Sequence, residues 1–304
     1  MMREVPKERE VGKTMARVAV VGVGAIGGTV AGLLETTKRH KITLCTRRPL
    51  EELTIHTPQG LLRVNARNIT DPAQAEHVDW VLVATKTYDA EGAAEWLHRL
   101  AGDRVAVAVI QNGVEHRARF ARWVRPELIV PVVIDCPVER RGDGGISQRG
   151  TAHMKVEDCP QGRALAELFR GSPAEIEVTA DWQSAAWRKL CINAAGALNA
   201  LTLKPAGVFW NDDVARLGME MVNECAAVGR AEGAKLADDV AQQIVAGYRA
   251  QPKDSVNSML ADRIAGRRME VDARNGVIVR MGAKHGIATP LNRMAVSLLG
   301  AAAE

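Results

Sequence analysis

Residues 17–48 constrain the fold of this chain most, because they follow the pattern strand, glycine-rich turn, helix, strand. An apolar run at residues 18–21 leads into Gly22-Val23-Gly24-Ala25-Ile26-Gly27. The first glycine permits a tight turn, the second lets the backbone approach a pyrophosphate, and the third lets the helix lie close to the sheet. The helix N-terminus then offers free N–H groups to phosphates. This segment predicts dinucleotide binding, with cofactor contacts at Gly22, Gly24, Ala25, Ile26 and Gly27.

Two arginines after the second strand bear on the choice of cofactor. Chains that select NAD place an acidic residue there, which accepts hydrogen bonds from the ribose hydroxyls. Here Arg47-Arg48-Pro49 follows the strand, and the next acid is Glu51. A guanidinium can bind a 2′-phosphate in bidentate fashion, whereas an acid would repel it. We therefore expect NADP(H), with Arg47 or Arg48 as the phosphate contact; the alternative is that both are solvated surface residues.

The composition excludes several classes of protein. A net charge of +4 without a basic block argues against a nucleic-acid partner. No apolar run approaches the roughly 20 residues of a membrane helix. Five cysteines without a C-x-x-C pair indicate reduced thiols in the cytoplasm, and seven histidines without metal-ligand spacing predict no metal site. Residues 1–15 lack the apolar core of a signal peptide and are expected to form a disordered extension.

The remaining patterns predict an α/β fold with two domains. Strands at 80–84, 105–110 and 128–133 alternate with helices at 90–100 and 114–124, as in a Rossmann-type doubly wound sheet over residues 16–180. Short β-like pieces follow at 153–156 and 175–179. Residues 181–304 predict an all-α domain, with helices at 187–203, 214–232, 240–248, 255–264 and 268–284. The cleft between the domains is where we expect catalysis.

Further motifs follow one another in a recognisable order. They are V-A-T-K-T-Y at 83–88, Q-N-G-V-E at 111–115, W-R-K-L-C-I-N at 187–193, S-M at 258–259, E-V-D at 270–272, N-G at 275–276 and G-I-A-T-P at 286–290. Over residues 16–301 the chain thereby resembles the ketopantoate reductases (2-dehydropantoate 2-reductases). The resemblance implies an NADPH-dependent oxidoreductase of pantothenate biosynthesis that reduces a 2-oxo acid, ketopantoate, to pantoate.

The resemblance also implies a catalytic pair. Lys189 matches the family's general acid, which protonates and stabilises the developing alkoxide. Glu270 matches a glutamate that contacts the substrate oxygen and lies near that lysine, so we expect it to pair with Lys189 and hold it charged. The alternatives are a surface lysine and a helix N-terminal glutamate paired with Arg267 or Arg268.

Four more side chains have implied ligand contacts. Asn193 is expected to contact substrate; it lies four residues after Lys189, so both share a helix face. Ser258 matches a contact of the substrate carboxylate, or else is a helix N-cap. Asn112 matches a contact of nicotinamide ribose and substrate, or else is part of an ordinary turn. Lys86 is expected to contact the cofactor, or else to be a solvated lysine.

One position departs from the family pattern. The family carries a second asparagine two helical turns after the catalytic lysine, where this chain has Ala197. Asn199 would lie roughly 200° around a regular helix. Either the helix is irregular near Gly196 or a polar contact is missing, with Asn211 as a candidate replacement. Another 2-oxo acid or a cyclic imine therefore remains an alternative substrate. A third hypothesis is a non-catalytic NADP(H) sensor. The sequence leaves the oligomeric state undecided, and a homodimer is possible.

Overall fold

The structure is a computed structural model that describes residues 15–302; apart from Met15, the expected disordered extension at residues 1–15 lies outside them. The first half of the described chain alternates strands and helices. Its strands are β1 (Arg17–Val21), β2 (Lys41–Cys45), β3 (Thr54–Thr57), β4 (Gly60–Arg63), β5 (Arg67–Ile69), β6 (Trp80–Val83), β7 (Ala106–Val109), β8 (Ile129–Asp135), β9 (Val138–Arg140), β10 (Ile146–Gln148), β11 (His153–Glu157) and β12 (Glu175–Thr179). Its helices are α1 (Ala25–Thr36), α2 (Ala90–Leu100), α3 (His116–Phe120) and α4 (Pro160–Leu168).

The main sheet is of the Rossmann type, as predicted. Its strand order is β12-β11-β8-β7-β6-β1-β2-β5, and the six strands from β5 to β8 are parallel. Alternate residues of β1 enter two separate apolar cores: Val18 and Val20 pack with α1, whereas Ala19 and Val21 pack with α2. Burial on both faces explains why the strand is a continuous apolar run.

A second, four-stranded sheet was not predicted. Its order is β4-β3-β10-β9, and it packs on the outer side of α1. A Cβ on Gly28 would overlap the side chain of Ile146, and one on Gly32 would overlap that of Ile55. These glycines, one helical turn apart, let the small sheet approach the helix. Its strands of three or four residues are too short to give a clear periodic signal, and the pairing of β3 with β10 joins two segments that are remote in sequence.

The second half of the described chain is helical, as predicted. Its helices are α5 (Trp182–Ala195), α6 (Ala197–Thr202), α7 (Asp212–Ala231), α8 (Val240–Ala250), α9 (Ser258–Ile264), α10 (Val277–His285) and α11 (Pro290–Ala301). They enclose an apolar core that includes Leu190, Phe209 and Met221. Within residues 15–302 no helix is both long and apolar enough to cross a bilayer.

Three predicted helices are wrong in extent. The helix predicted at 187–203 is interrupted at Gly196, between α5 and α6. The helix predicted at 268–284 becomes helical only at residue 271 and passes through a π-helical turn at Asp272–Gly276 before α10. The helix predicted at 114–124 contracts to α3. Gly286 ends α10 in the left-handed conformation, with φ of 68°, as expected for a helix stop.

Candidate active site

The glycine turn leaves open space at the N-terminus of α1. Gly22 has φ of 89°, and a Cβ there would lie 2.7 Å from the backbone nitrogen of Thr85. A Cβ on Gly27 would overlap the carbonyl oxygen of Gly22, whereas one on Gly24 would meet no atom within 4 Å. Gly24 is also the N-cap of α1, and no side chain caps the helix. The free N–H groups that follow can therefore bind a phosphate by donating hydrogen bonds to its oxygens.

The two arginines expected at the 2′-phosphate are exposed on the loop after β2. The side chain of Asn68 holds this loop, donating to Thr46 Oγ1 at 2.8 Å and accepting from the backbone N–H of Leu50 at 2.9 Å. Arg47 lies 3.8 Å from a carboxylate oxygen of Asp89, and Arg48 has no ion pair within residues 15–302. Both guanidinium groups are thus accessible to an anion.

Arg140 is a further cation at the glycine turn, and sequence reasoning missed it. It lies in β9, where its Nη2 donates to the carbonyl oxygen of Val23 and its Nη1 donates to that of Gly144 at 2.8 Å. No local pattern marks this arginine, because its position depends on the unpredicted small sheet.

The loops after β6 and β7 meet at the carboxyl edge of the sheet. The buried Gln111 side chain ties them together, since its Nε2 donates to the carbonyl oxygen and to Oγ1 of Thr85, both at 3.0 Å. Behind them His116 hydrogen-bonds through Nε2 to the carbonyl oxygen of Gln111 at 2.8 Å. Burial lowers the pKa of His116 to about 4, so the neutral ring donates this bond. Lys86 and Asn112 are held at this edge.

Glu270 binds both of these loops. Its side chain is 6% exposed and accepts from the backbone N–H of Thr87 at 2.9 Å, from Asn112 Nδ2 at 2.9 Å and from Lys86 Nζ at 3.3 Å. Burial favours the neutral acid, but the charge of Lys86 and these N–H donors outweigh it, so the pKa of Glu270 is lowered. The carboxylate is ionised at neutral pH.

Lys86 is only partly exposed and is held by two carboxylates. Its ammonium also donates to Asp262 Oδ2 at 2.7 Å. Burial opposes its charge, yet the carboxylates of Glu270 and Asp262 outweigh that effect and raise the pKa of Lys86. The arginines proposed as alternative partners of Glu270 lie elsewhere: Arg267 pairs with Asp262, and Arg268 stacks on the ring of Tyr88.

Asn193 and Ser258 extend the cluster into the helical half. Asn193 Nδ2 donates to Asn112 Oδ1 at 3.4 Å, and its own Oδ1 accepts from Arg274 Nη2 at 3.0 Å. Arg274 Nη1 donates to the exposed Ser258 at 3.3 Å. The N-cap alternative for Ser258 is wrong, because Asn257 caps α9 by accepting from the N–H of Leu260 at 2.9 Å.

Lys189 lies on the face of α5 that Asn193 also occupies, as the spacing predicted. Its Nζ donates to Asp135 Oδ1 at 2.8 Å, at the carboxyl end of β8. The expected Lys189–Glu270 ion pair is wrong, because Glu270 pairs with Lys86 instead. One turn separates Lys189 from Asn193, so Lys189 reaches β8 while Asn193 reaches the loop after β7.

Comparison with known proteins identifies the family. The model of the family Ketopantoate reductase PanE/ApbA matches residues 18–161. The model of the family Ketopantoate reductase PanE/ApbA C terminal matches residues 181–303. A 2-dehydropantoate 2-reductase of Caulobacter vibrioides is 50% identical over 95% of this chain and 100% of its own length. The Mycobacterium tuberculosis enzyme of that name is 38% identical over 94% of this chain and 98% of its own length. The chain belongs to the ketopantoate reductase family.

The fold is likewise that of solved ketopantoate reductases. The structure of a PanE/ApbA family ketopantoate reductase from Ralstonia eutropha is 30% identical, with a TM-score of 0.85, and the match covers 94% of this chain and 98% of that one. The Rossmann-type sheet and the helical second half are therefore shared with this structure.

Neither Ala197 nor the two asparagines considered as its replacements supplies the polar contact of the family asparagine. Ala197 is completely buried in the helical core, just after the break at Gly196. The irregularity of the helix, one of the two alternatives, is thus present, but Asn199 is buried against Asn257, whose Nδ2 donates to Asn199 Oδ1 at 2.9 Å. Asn211 caps α7, so the hypothesis that it replaces the family asparagine is wrong.

Sequence reasoning missed three charged residues of this ketopantoate reductase site. Asp262 lies four residues after Ser258 on α9, and Arg274 lies four residues after Glu270. Helical spacing from a known site residue could have found both. Asp135, at the end of β8, had no such signal, because its role depends on the packing of α5 against the sheet.

Proposed function

We propose that this chain reduces a 2-oxo acid to the 2-hydroxy acid with NADPH, and that ketopantoate, which yields pantoate, is its substrate. The observation that carries this is the hydrogen-bonded cluster that joins the two halves at the carboxyl edge of the sheet, formed by Glu270, Asn112, Asn193 and, through Arg274, Ser258. Lys189 lies one helical turn from Asn193 on the same face of α5. The identity of 50% to a protein named 2-dehydropantoate 2-reductase supports the substrate.

A nicotinamide cofactor fits the residues present. The open space at Gly24 and the uncapped N-terminus of α1 suit its pyrophosphate, with Ala25, Ile26 and Gly27 supplying N–H groups. When bound, the cofactor supplies the hydride. The exposed Arg47 and Arg48, with no acid at the end of β2, favour NADPH over NADH.

The chain's own residues supply the proton and the orientation. Lys189 is the general acid: its ammonium leaves Asp135 and donates a proton to the developing alkoxide. Glu270, held ionised by Lys86, orients Asn112, and Asn112 in turn contacts Asn193. We assign Asn112 to the nicotinamide ribose and substrate, Lys86 to the cofactor, and Asn193 and Ser258 to the acid.

The test is NADPH oxidation with ketopantoate and a panel of other 2-oxo acids, with NADH in parallel. Lys189→Ala should lower kcat by about 100- to 10,000-fold, the usual contribution of a positioned acid, with little change in NADPH affinity. Near-normal turnover of this variant would exclude the assigned role.

The same experiment tests two alternatives. The alternative substrate rests on the buried Ala197, which offers no polar contact for a hydroxylated substrate tail; the NADP(H) sensor is independent of it. Turnover of a different 2-oxo acid or a cyclic imine, without ketopantoate, would favour another substrate. Tight NADPH binding without turnover of any such compound would favour a sensor.

Two properties of the whole protein are also part of the proposal. We propose a homodimer, which light scattering on the purified protein would test. We propose a cytoplasmic location, supported by five cysteines that are all free thiols. Fractionation of the cells that make the protein would test it.

A further inference from the structure

Arg274 is a buried charge that the carboxylates of Glu270 and Asp262 influence only from beyond ion-pair distance. It is 2% exposed and has no ion pair within residues 15–302. It donates to Ser258 Oγ at 3.3 Å, to Asn193 Oδ1 at 3.0 Å and to the Asn193 carbonyl oxygen at 3.3 Å, while its buried Nε has no partner among the described residues. An uncompensated buried charge is costly, so a ligand anion would relieve this site.

The backbone is shaped to admit this guanidinium. Arg274 lies in the π-helical turn at Asp272–Gly276, and π-turns inside helices are frequent at functional sites. Opposite it, a Cβ on Gly196 would lie 2.7 Å from Tyr248 Oη, 3.0 Å from Asn257 Nδ2 and 3.3 Å from Arg274 Nη2. Only glycine leaves room there, so the break between α5 and α6 makes space for the arginine.

The carboxylates near Arg274 are already bound by other cations. Asp262 and Glu270 both bind Lys86, and the half-exposed Arg267 also pairs with Asp262. Neither carboxylate forms an ion pair with Arg274, so a ligand anion would supply the contact that its guanidinium lacks.

The hydrogen bonds from Arg274 also determine whether Ser258 and Asn193 can donate hydrogen bonds to a ligand. Ser258 Oγ accepts from Arg274, so the hydroxyl hydrogen is free to donate into the cleft. Asn193 Oδ1 accepts from Arg274, so its amide N–H groups point away, and only a long 3.4 Å bond to Asn112 engages them. Both side chains thereby become donors, as an anion requires.

We propose that Arg274 is a positioning residue that selects the substrate's carboxylate, by holding Ser258 and Asn193 as donors and by supplying the uncompensated positive charge behind them. This rests on the proposed reduction of a 2-oxo acid. The same chemistry could serve a cofactor phosphate, so the experiment measures substrate and cofactor separately.

The test compares Arg274→Met and Arg274→Lys with the native protein. Substrates are a reducible 2-oxo acid and its neutral methyl ester, and NADPH affinity is measured by fluorescence titration. A hydrogen-bonded charge is worth about 10- to 100-fold in binding, so Arg274→Met should raise KM for the acid by about that factor and leave KM for the ester within about threefold. Arg274→Lys, which keeps the charge, should recover part of the preference for the acid.

Arg39→Met is the matched control. Arg39 is also partly buried, and its Nε likewise has no partner among the described residues, but it bonds to backbone carbonyls at the end of α4. This variant should leave the preference for acid over ester unchanged.

Two results would overturn the inference. One is an acid-to-ester preference that is unchanged in both Arg274→Lys and Arg274→Met. If Arg274→Met does not fold, an unchanged preference in both Arg274→Lys and Ser258→Ala would overturn the inference instead. The other is a loss of NADPH affinity as large as the loss for the acid. Binding of oxamate, an unreactive 2-oxo acid analogue, separates this inference from the function: oxamate should raise the melting temperature of the native protein and not of Arg274→Met, even if no turnover is found.

Discussion

The replacement Glu270→Gln tests the ionic cluster that joins the two halves. Glutamine keeps the shape but removes the charge and turns one acceptor into a donor. If its oxygen accepts from the N–H of Thr87, its amide group faces Lys86 Nζ and Asn112 Nδ2, which are both donors. Rotating the Asn112 amide would turn its Nδ2 towards Asn193 Nδ2, another donor. No arrangement satisfies every group.

The expected loss follows from burial and from the remaining partner of Lys86. Breaking a buried ion pair costs about 3–5 kcal/mol. Lys86 retains Asp262, and its side chain is 37% exposed, so solvent recovers part of that energy. We therefore expect a loss of about 2–3 kcal/mol in the free energy of unfolding, which for a chain of this length corresponds to a fall in melting temperature of about 3–5 °C.

The assay is thermal unfolding by circular dichroism, with kcat/KM measured in parallel. Glu177→Gln is the control, because the exposed Lys155–Glu177 pair at 2.6 Å should contribute only about 0–1 kcal/mol. Because the folded pKa of Glu270 is lowered, its contribution is present above the ordinary value of 4.5 and is lost as pH falls through the folded pKa. Melting temperatures of Glu270→Gln and native protein that agree within about 1 °C at neutral pH would refute the reasoning, since no more than about 0.6 kcal/mol would then be involved.

Three further predictions concern other parts of the site. The pKa of His116 is lowered to about 4 from an ordinary 6.5, so the unfolded state binds more protons between these values. The free energy of unfolding should therefore fall by up to about 3 kcal/mol as pH drops from 6.5 to 4. Urea unfolding of His116→Gln should show a flatter pH dependence, and equal slopes in both proteins would contradict this. Asp135→Asn should lower kcat by at most about fivefold at unchanged KM for NADPH, because it removes an exposed partner of Lys189. Steady-state kinetics checks this, and a larger loss of kcat would mean that Asp135 takes a direct part in the reaction. Replacing Arg47 and Arg48 together with Ser should raise KM for NADPH by about 10- to 100-fold and leave KM for NADH unchanged, whereas equal effects on both cofactors would count against the 2′-phosphate assignment.

Local patterns in the sequence were sufficient for the elements that bear the site. The apolar run of β1, the glycine turn and the start of α1 depend on steric rules that act over a few residues, so they could be predicted. The same holds for the shared face of Lys189 and Asn193, because a spacing of four is a property of any α-helix. The alternation of strands and helices likewise predicted the parallel sheet and the helical second half.

The partners of the charged groups were decided only by the tertiary structure. Helical spacing shows which face of α5 carries Lys189. The packing of α5 against β8 decides that Asp135, not Glu270, accepts the hydrogen bond from its ammonium. Glu270 is more than 180 residues from Lys86 in sequence, yet they share a partly buried ion pair. The interruption at Gly196 and the π-turn at Arg274 likewise arise where two elements must fit together. Electrostatic interactions depend on distance and burial, and both are set when elements remote in sequence pack together.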